Sequence, residues 1–209
     1  FYPSEPQKRH LAKEFGCARY AYNFGLRLRT DSYKERVTVN YDKSSAAWTK
    51  HKRLHPWLKE TSCTPQQQAL RHLQTAFSNF FAKRAKYPAF RSKHGKQSAE
   101  YTTNSFKWDP LNRNISVSKV GRLSVRWSRD FTSIPSTVTI TKDRAGRYFV
   151  SLCLDEPSKV ALPKTGLSIG IDLGISRLAT LSDGTRIANP RHTVKKAANS
   201  DPIISIAVE

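Results

Sequence analysis

The sequence predicts an α+β protein of several parts, and two changes in its hydrophobic pattern separate them. Up to about residue 82, apolar residues recur at three- and four-residue spacing, which is typical of amphipathic helices. After Glu100 they alternate, which is typical of strands with one buried face. A third stretch, residues 167–188, combines a strand with a hairpin meander. We therefore expect a helical bundle, then a small antiparallel β-barrel, then a partial α/β domain.

The composition indicates a polyanionic partner. Lys and Arg number 36 against 16 Asp and Glu, so the formal net charge is +20. Such an excess bears on partners rather than on fold, and it favours nucleic acid. No segment approaches the ~20 consecutive apolar residues of a membrane span. The three cysteines stand apart without a C-x-x-C pair, which predicts free thiols in a reducing compartment.

The helical part should contain three helices. Ser4 is a candidate N-cap for a long helix that runs to about Lys34. A shorter helix is expected around residues 44–54. Thr64 as N-cap, with Gln67 completing a capping box, predicts where the third helix begins.

A segment without acidic residues runs from Thr61 to Ala99. Its cations alternate with Phe81, Tyr87 and Phe90, a pattern typical of surfaces that bind phosphates and stack bases. The nucleic-acid contacts predicted here are Arg71, Lys83, Arg84, Lys86, Arg91, Lys93 and Lys96. The alternative is a basic linker whose aromatic rings are packed into the core.

The middle part should consist of five short strands. They are predicted at residues 101–108, 114–119, 122–128, 136–142 and 148–155. Short strands with frequent turn signals predict a small antiparallel barrel of the OB type.

The third part carries one carboxylate in an otherwise apolar pattern. From Leu167 to Ile175, apolar residues alternate with Ser, Gly and Asp172, which predicts a strand. A second strand and an Asp183-Gly184 hairpin signal follow. This order resembles the opening of an RNase H-like nuclease core, in which such an Asp holds divalent metal ions. A buried strand whose Asp caps a turn is an equally supported alternative on these nine residues.

Several short motifs occur in an order that resembles one family. They are Phe15-Gly-Cys-Ala-Arg-Tyr20, Pro56-Trp-Leu-Lys59, Tyr87-Pro-Ala-Phe-Arg-Ser-Lys93, Asp143-Arg-Ala-Gly146, Gly170-Ile-Asp-Leu-Gly174 and Leu178-Ala-Thr-Leu-Ser-Asp-Gly184. Over residues 1–191 the sequence resembles TnpB, the OrfB-type protein of insertion sequences, a relative of the type V CRISPR effectors. The resemblance implies a helical recognition lobe (5–86), a β-barrel wedge domain (1–4 and 87–160) and a partial RuvC nuclease domain (161–209).

The resemblance also implies an RNA-guided DNA endonuclease in the bacterial or archaeal cytoplasm, associated with the nucleoid. A guide RNA would choose double-stranded target DNA by base pairing, and the protein would read a short motif beside the target. We expect the helical lobe to read that motif through Tyr41, Ser45 and Gln67. Asp172 matches the first catalytic, metal-binding Asp of the family, whose complete site is expected to hold two Mg2+ ions.

The sequence departs from the family near its end. Residues 192–202 are much shorter than the family's helical segment, yet Ile203 to Glu209 resembles the strand that bears the catalytic Glu. Glu209 is therefore the second predicted catalytic and metal-binding residue. We find no counterpart of the third catalytic Asp or of the zinc ribbon.

Because the sequence also contains no methionine, we expect an incomplete product that binds nucleic acid without cutting it. Two other functions stay open. One is a nuclease-inactive, repressor-like protein that binds DNA directly or through a guide RNA. The other is an RNA-binding accessory protein.

Overall fold

A computed structural model describes residues 1–155, 166 and 168–191. The chain divides into two compact units, residues 1–157 and residues 158–209. The described residues contain three α-helices, which are α1 (Glu5–Lys34), α2 (Tyr41–Leu54) and α3 (Cys63–Phe81), with a 3-10 turn at Pro56–Lys59. No helix in the described ranges combines the length and the apolar character needed to cross a membrane.

The long helix α1 confirms the predicted first helix. It begins after Ser4, whose backbone N–H donates to Gln7 Oε1 at 3.0 Å. Gln7 Nε2 in turn donates to the carbonyl of Arg122 at 2.7 Å, so the start of the helix is tied to the strands. The 30 residues of α1 extend for ~45 Å at the usual rise per residue. This length lets one helix contribute to two separate cores.

The starts of α2 and α3 differ from the sequence predictions. Helix α2 begins at Tyr41, earlier than expected, because Asn40 Oδ1 accepts the backbone N–H of Lys43 at 3.0 Å and caps the helix. Helix α3 has Ser62 as its N-cap, so the predicted N-cap at Thr64 and the capping box through Gln67 are wrong. The N–H of Ser62 donates to Glu14 Oε1 of α1 at 2.8 Å, which holds that residue extended before the helix.

The first unit has six strands, arranged as two antiparallel sheets. They are β1 (Gln97–Thr102), β2 (Phe106–Asp109), β3 (Asn114–Val117), β4 (Gly121–Leu123), β5 (Pro135–Lys142) and β6 (Tyr148–Leu154). One sheet has the order β1-β5-β6 and the other β2-β3-β4. The α+β class is therefore confirmed, but these strands do not close into the predicted barrel.

The strand predicted at 101–108 is in fact two strands in two sheets. A 3-10 turn at Thr103–Ser105 separates β1 from β2, and Ser105 Oγ donates to the Thr102 carbonyl at 2.9 Å. Consecutive short polar side chains favour such turns because they bond to the local backbone. The chain leaves the first sheet at this turn, which explains why a single six-stranded barrel does not form.

Helix α1 joins two hydrophobic cores. Near its N-terminus Leu11 and Phe15 pack with residues from both sheets, including the fully buried Tyr101. Near its C-terminus Leu26 packs with Trp48 of α2 and with residues of α3. Helices and sheets therefore share one compact unit, while the division into recognition and wedge lobes stays a prediction.

The second unit contains the predicted strand and meander. Its strands are β7 (Ile171–Leu173), β8 (Arg177–Leu181) and β9 (Arg186–Ala188), in the sheet order β7-β8-β9. Gly184 in the hairpin has φ +88°, the left-handed conformation that favours glycine. Strand β7 is exposed rather than buried, with Leu173 74% accessible. Leu167 and residues 192–209, including Glu209, lie outside the described residues.

Candidate nucleic-acid interface

The basic segment that follows α3 is fixed onto α1. Asn23 of α1 bonds the backbone of Arg91 in both directions, with Nδ2 donating to the carbonyl at 3.0 Å and Oδ1 accepting the N–H at 2.8 Å. Tyr87 Oη lies 2.9 Å from Thr30 Oγ1, further along the same helix. The segment therefore has a defined path, although it contains no helix or strand before β1.

The aromatic residues of this segment divide between the two interpretations. Tyr87 packs edge-on against Phe77 and Phe80, with ring centroids 5.6 and 5.3 Å apart, but it stays 47% exposed and so fits the core alternative only in part. Phe81 and Phe90 are 73% and 57% exposed. These two rings remain available to stack on bases.

A cleft of about 540 Å³ opens beside α1, and its charged lining is mostly cationic. We call it the basic cleft and define it by Arg19, Lys93, His94, Lys142 and Arg144. Its carboxylate, Asp143, accepts from the backbone N–H of Arg147 at 2.8 Å and from the Nε of Arg147 at 2.7 Å. These hydrogen bonds hold the pKa of Asp143 below its usual value. Asp143 therefore stays ionised, and its negative charge is balanced by Arg147. The Lys and Arg side chains of the basic cleft leave its lining positive.

The other predicted phosphate contacts occupy several surfaces. Lys83, Arg84 and Lys86 are exposed just beyond α3, and no ion pair involves them among the described residues. The guanidinium Cζ of Arg91 lies 3.8 Å from the centroid of the Tyr22 ring, so this side chain packs against α1. Lys96 lines a smaller cleft beside the β5–β6 hairpin.

Helices α2 and α3 meet at the residues predicted to read the target-adjacent motif. The Cζ of Arg71 lies 5.3 Å from the centroid of the Tyr41 ring, so these two residues are in contact. Ser45 is one turn after Tyr41 on α2, and Gln67 is one turn before Arg71 on α3. Gln67 is exposed, and it is free of the capping role that would have competed with base contacts.

A buried network that the sequence did not reveal supports this helix pair. Trp48 Nε1 donates to Gln66 Oε1 at 3.2 Å, which links α2 to α3. Gln66 Nε2 donates to the Leu58 carbonyl and to Thr61 Oγ1, both at 2.9 Å. The adjacent Gln66 and Gln67 therefore have opposite environments. Gln66 faces inward because it is one turn before Leu70, on the buried side of α3, whereas Gln67 is outside that side.

Glu14 is a fully buried carboxylate on the inner face of α1. Its Oε1 accepts the Ser62 N–H at 2.8 Å and lies 3.2 Å from His10 Nε2. Its Oε2 and the nearby Tyr101 hydroxyl have no hydrogen-bond partner in the part of the chain that the structure describes. Burial raises the pKa of Glu14 to about 7, with the Ser62 hydrogen bond opposing the rise. Burial, and then the charge of Glu14, raise the pKa of Tyr101 as well.

In the second unit, Asp172 occupies the centre of β7 and pairs with Thr180 of β8. It is exposed and lies mid-strand rather than in a turn, which disfavours the turn-capping interpretation. No group of three His, Cys, Asp or Glu that could hold a metal ion occurs within the described ranges. Glu209, the predicted second ligand, falls outside those ranges, so the pairing of Asp172 with Glu209 remains a prediction.

Comparison with known families gives one match. The OrfB/IS605 model described as a helix-turn-helix domain matches residues 1–37. In this chain the matched residues contain the single continuous helix α1.

Known relatives match most of the chain. A protein of Streptomyces pristinaespiralis named "Putative RNA-guided DNA endonuclease" is 48% identical over 199 residues, 92% of this chain and 49% of that protein. InsQ of Escherichia coli K12, also named "Putative RNA-guided DNA endonuclease", is 30% identical over 187 residues, 88% of this chain and 46% of that protein. The chain thus spans about half the length of these two curated relatives.

A third relative matches a shorter segment. The virulence protein VsdF of Salmonella dublin is 35% identical over 107 residues, which are 46% of this chain and 90% of that protein. The family model and the two longer relatives agree with the motif order of the sequence. This chain belongs to the TnpB/OrfB-type family of transposon-encoded proteins.

Proposed function

We propose that this chain is part of an RNA-guided DNA endonuclease, the activity that the names of two relatives state. The observation that carries the proposal is the basic cleft, where four Lys and Arg side chains line the same space as one carboxylate, which is paired with Arg147. Such a lining suits the phosphates of a polynucleotide, and the net charge of +20 adds long-range attraction.

In this proposal RNA and DNA engage different parts of the first unit. The basic cleft and the exposed Lys83, Arg84 and Lys86 hold phosphates of the guide RNA without reading sequence. The paired faces of α2 and α3 read a short motif in the target duplex through Gln67, Ser45 and Tyr41. An amide side chain such as that of Gln67 can bond adenine bidentately in the major groove.

Asp172 would take part in cleavage. A carboxylate is a hard oxygen donor of the kind that Mg2+ prefers, and its exposed position at mid-strand leaves room for further ligands. Asp172 and Glu209 are the residues that would hold the metal. When bound, two Mg2+ ions would stabilise the attacking and leaving oxygens of phosphodiester hydrolysis.

The first test is whether the chain carries RNA. The purified protein should retain a structured RNA at moderate salt, and its affinity should fall steeply as salt rises, because phosphate contacts release counterions. A variant with Lys93, Lys142 and Arg144 changed to Gln should lose most of this affinity. The matched control changes Lys34, Lys50 and Lys52, cations outside the basic cleft. Equal losses in both variants, or protein free of RNA at low salt, would contradict the proposal.

A second candidate function is guided binding without cleavage. It is favoured by one observation, that Asp172 belongs to no group of three His, Cys, Asp or Glu that could hold a metal ion among the described residues. A plasmid-cleavage assay with guide RNA and Mg2+ separates the two functions. The assay compares this chain with a version extended to the length of the longer relatives. If this chain binds the target without cutting it and the extended version cuts it, cleavage belongs to the extended protein.

A further inference from the structure

Helix α1 contains two glycines whose surroundings differ. A Cβ added to Gly25 would lie 2.8 Å from Leu70 Cδ2 and 2.9 Å from Leu73 Cδ2, so packing against α3 requires this glycine. A Cβ added to Gly16 would meet no atom within 4 Å. A glycine inside a helix is unfavourable relative to alanine. Gly16 therefore carries a cost that nothing within the described fold explains.

The open space at Gly16 is part of a cleft of about 490 Å³. Two of its walls are the rings of Tyr20 and Trp57, whose centroids are 5.6 Å apart with 40° between their planes. Tyr20 is held in place because its hydroxyl lies 2.8 Å from His51 Nε2. Trp57 is 48% exposed, so a large aromatic surface faces solvent beside an unfilled space.

The rim of this cleft is charged. Lys13 and Arg19 contribute two cations, and Glu60 contributes one carboxylate. Lys13 Nζ lies 2.7 Å from Glu60 Oε2, but both side chains are more than half exposed, and such a surface pair is weak. An anionic group can therefore displace it.

We propose that this cleft, between Gly16, Tyr20 and Trp57, binds an unpaired nucleobase of an RNA strand. The base stacks on Trp57 above Gly16, and the adjoining phosphates contact Lys13 and Arg19. A flat base explains both why the Trp57 indole is exposed and why position 16 is a glycine without a side chain. The cations at the rim favour a nucleotide over an uncharged aromatic ligand. The inference rests on the proposed RNA binding. It adds a base-stacking site that shares Arg19 with the basic cleft but none of the other residues of that cleft.

The test separates stacking from charge. Affinities of the full chain are measured for a 12-nucleotide oligoadenylate and for an abasic ribose-phosphate strand of equal length, over a series of salt concentrations. Gly16→Leu fills the cleft, and Gly16→Ala adds one methyl group with an expected gain in thermal stability. Trp57→Ala removes the stacking surface. The matched control is Leu54→Ala, which trims another exposed apolar side chain (78% accessible) outside the cleft.

Base stacking is worth enough that Trp57→Ala and Gly16→Leu should each weaken oligoadenylate binding about tenfold. Neither should change abasic-strand binding or the salt slope, which depends on phosphate contacts. Leu54→Ala should change neither affinity. The inference is overturned if the wild type binds both strands equally well, or if Gly16→Leu leaves oligoadenylate binding intact. Absence of all RNA binding would instead overturn the proposed function on which it rests.

Discussion

Arg71 of α3 and Tyr41 of α2 form a cation–π pair, with 5.3 Å from the guanidinium Cζ to the ring centroid. This pair joins the two helices at the face proposed to read the target-adjacent duplex. A guanidinium already stacked on a ring has lost conformational freedom, so Arg71 presents its remaining N–H groups in a restricted direction. Ser45 is one turn after Tyr41 and Gln67 is one turn before Arg71, so each is a helical neighbour of one member of the pair.

Replacing Gln67 with alanine should change sequence preference without unfolding the protein. Gln67 is exposed and is not part of a capping box, so the substitution should remove base contacts and leave the helix intact. One bidentate contact between a side chain and a base favours the correct base by about 1–3 kcal/mol. A depletion assay with randomised flanking bases and the complete guided protein measures the preference. Weaker binding with an unchanged base preference would contradict a reading role for Gln67.

The neighbouring substitution Gln66→Ala should instead destabilise the fold. It removes the acceptor for the Trp48 indole and the donor to the Leu58 carbonyl and Thr61 Oγ1, all buried. Buried polar groups left without partners are costly, so we expect a loss of about 2–4 kcal/mol in unfolding free energy. Urea denaturation measures it, with Gln67→Ala as the control expected to stay within about 0.5 kcal/mol. Similar losses in both variants would show that the network contributes little.

This pair of glutamines shows what the sequence could and could not predict. Periodicity located the helices because burial of one face dominates their stability, and α1 was predicted over nearly its full length. The start of α3 was misplaced because Glu14, distant in sequence, binds the Ser62 N–H. A contact between residues 48 positions apart leaves no local signature in the sequence.

The strands show a related limit. Alternation predicted β5 and β6 closely, because one face of each is buried. It predicted one strand over 101–108, where the structure has two strands in two sheets. Tyr101 and Phe106 are five residues apart, so they are out of phase for a period of two, and this shift is the local mark of the turn at Thr103–Ser105. For the candidate site, the composition predicted cations but not which of them share a cleft. Arg19 and Arg144 meet there only through the packing of α1 near the β5–β6 hairpin.

Glu14 should make stability depend on pH. Its pKa is raised from 4.5 to about 7 in the folded chain, so between these values the native state binds the extra proton. Its contribution to stability is therefore greatest below pH 4.5 and is lost as pH rises towards 7, by on the order of 3 kcal/mol. Glu14→Gln should remove this loss. His10, whose pKa burial lowers, acts with the opposite sign and remains in both proteins.

The measurement is urea denaturation of wild type and Glu14→Gln at pH 5 and pH 8. The variant should gain stability relative to wild type at the higher pH. Glu5→Gln, an exposed carboxylate on the same helix, is the control and should not reproduce that gain. A constant difference between wild type and Glu14→Gln at both pH values would show that Glu14 titrates normally in the fold.

Asp172→Asn should abolish guided cleavage by the complete protein while leaving target binding intact. Asn has nearly the same shape, and Asp172 is exposed at the centre of β7, so the change in fold stability should stay within about 0.5 kcal/mol. The carboxylate charge is lost, and with it a hard anionic ligand for Mg2+.

Asp183→Asn provides the matched control, because Asp183 is in the hairpin of the same sheet and its Oδ1 accepts the Thr185 N–H at 2.8 Å. Asparagine keeps that acceptor oxygen, so the control should cut at the wild-type rate. Cleavage and gel-shift assays with guide RNA and Mg2+ measure the two activities, and cleavage that survives in Asp172→Asn would exclude Asp172 from the nuclease site.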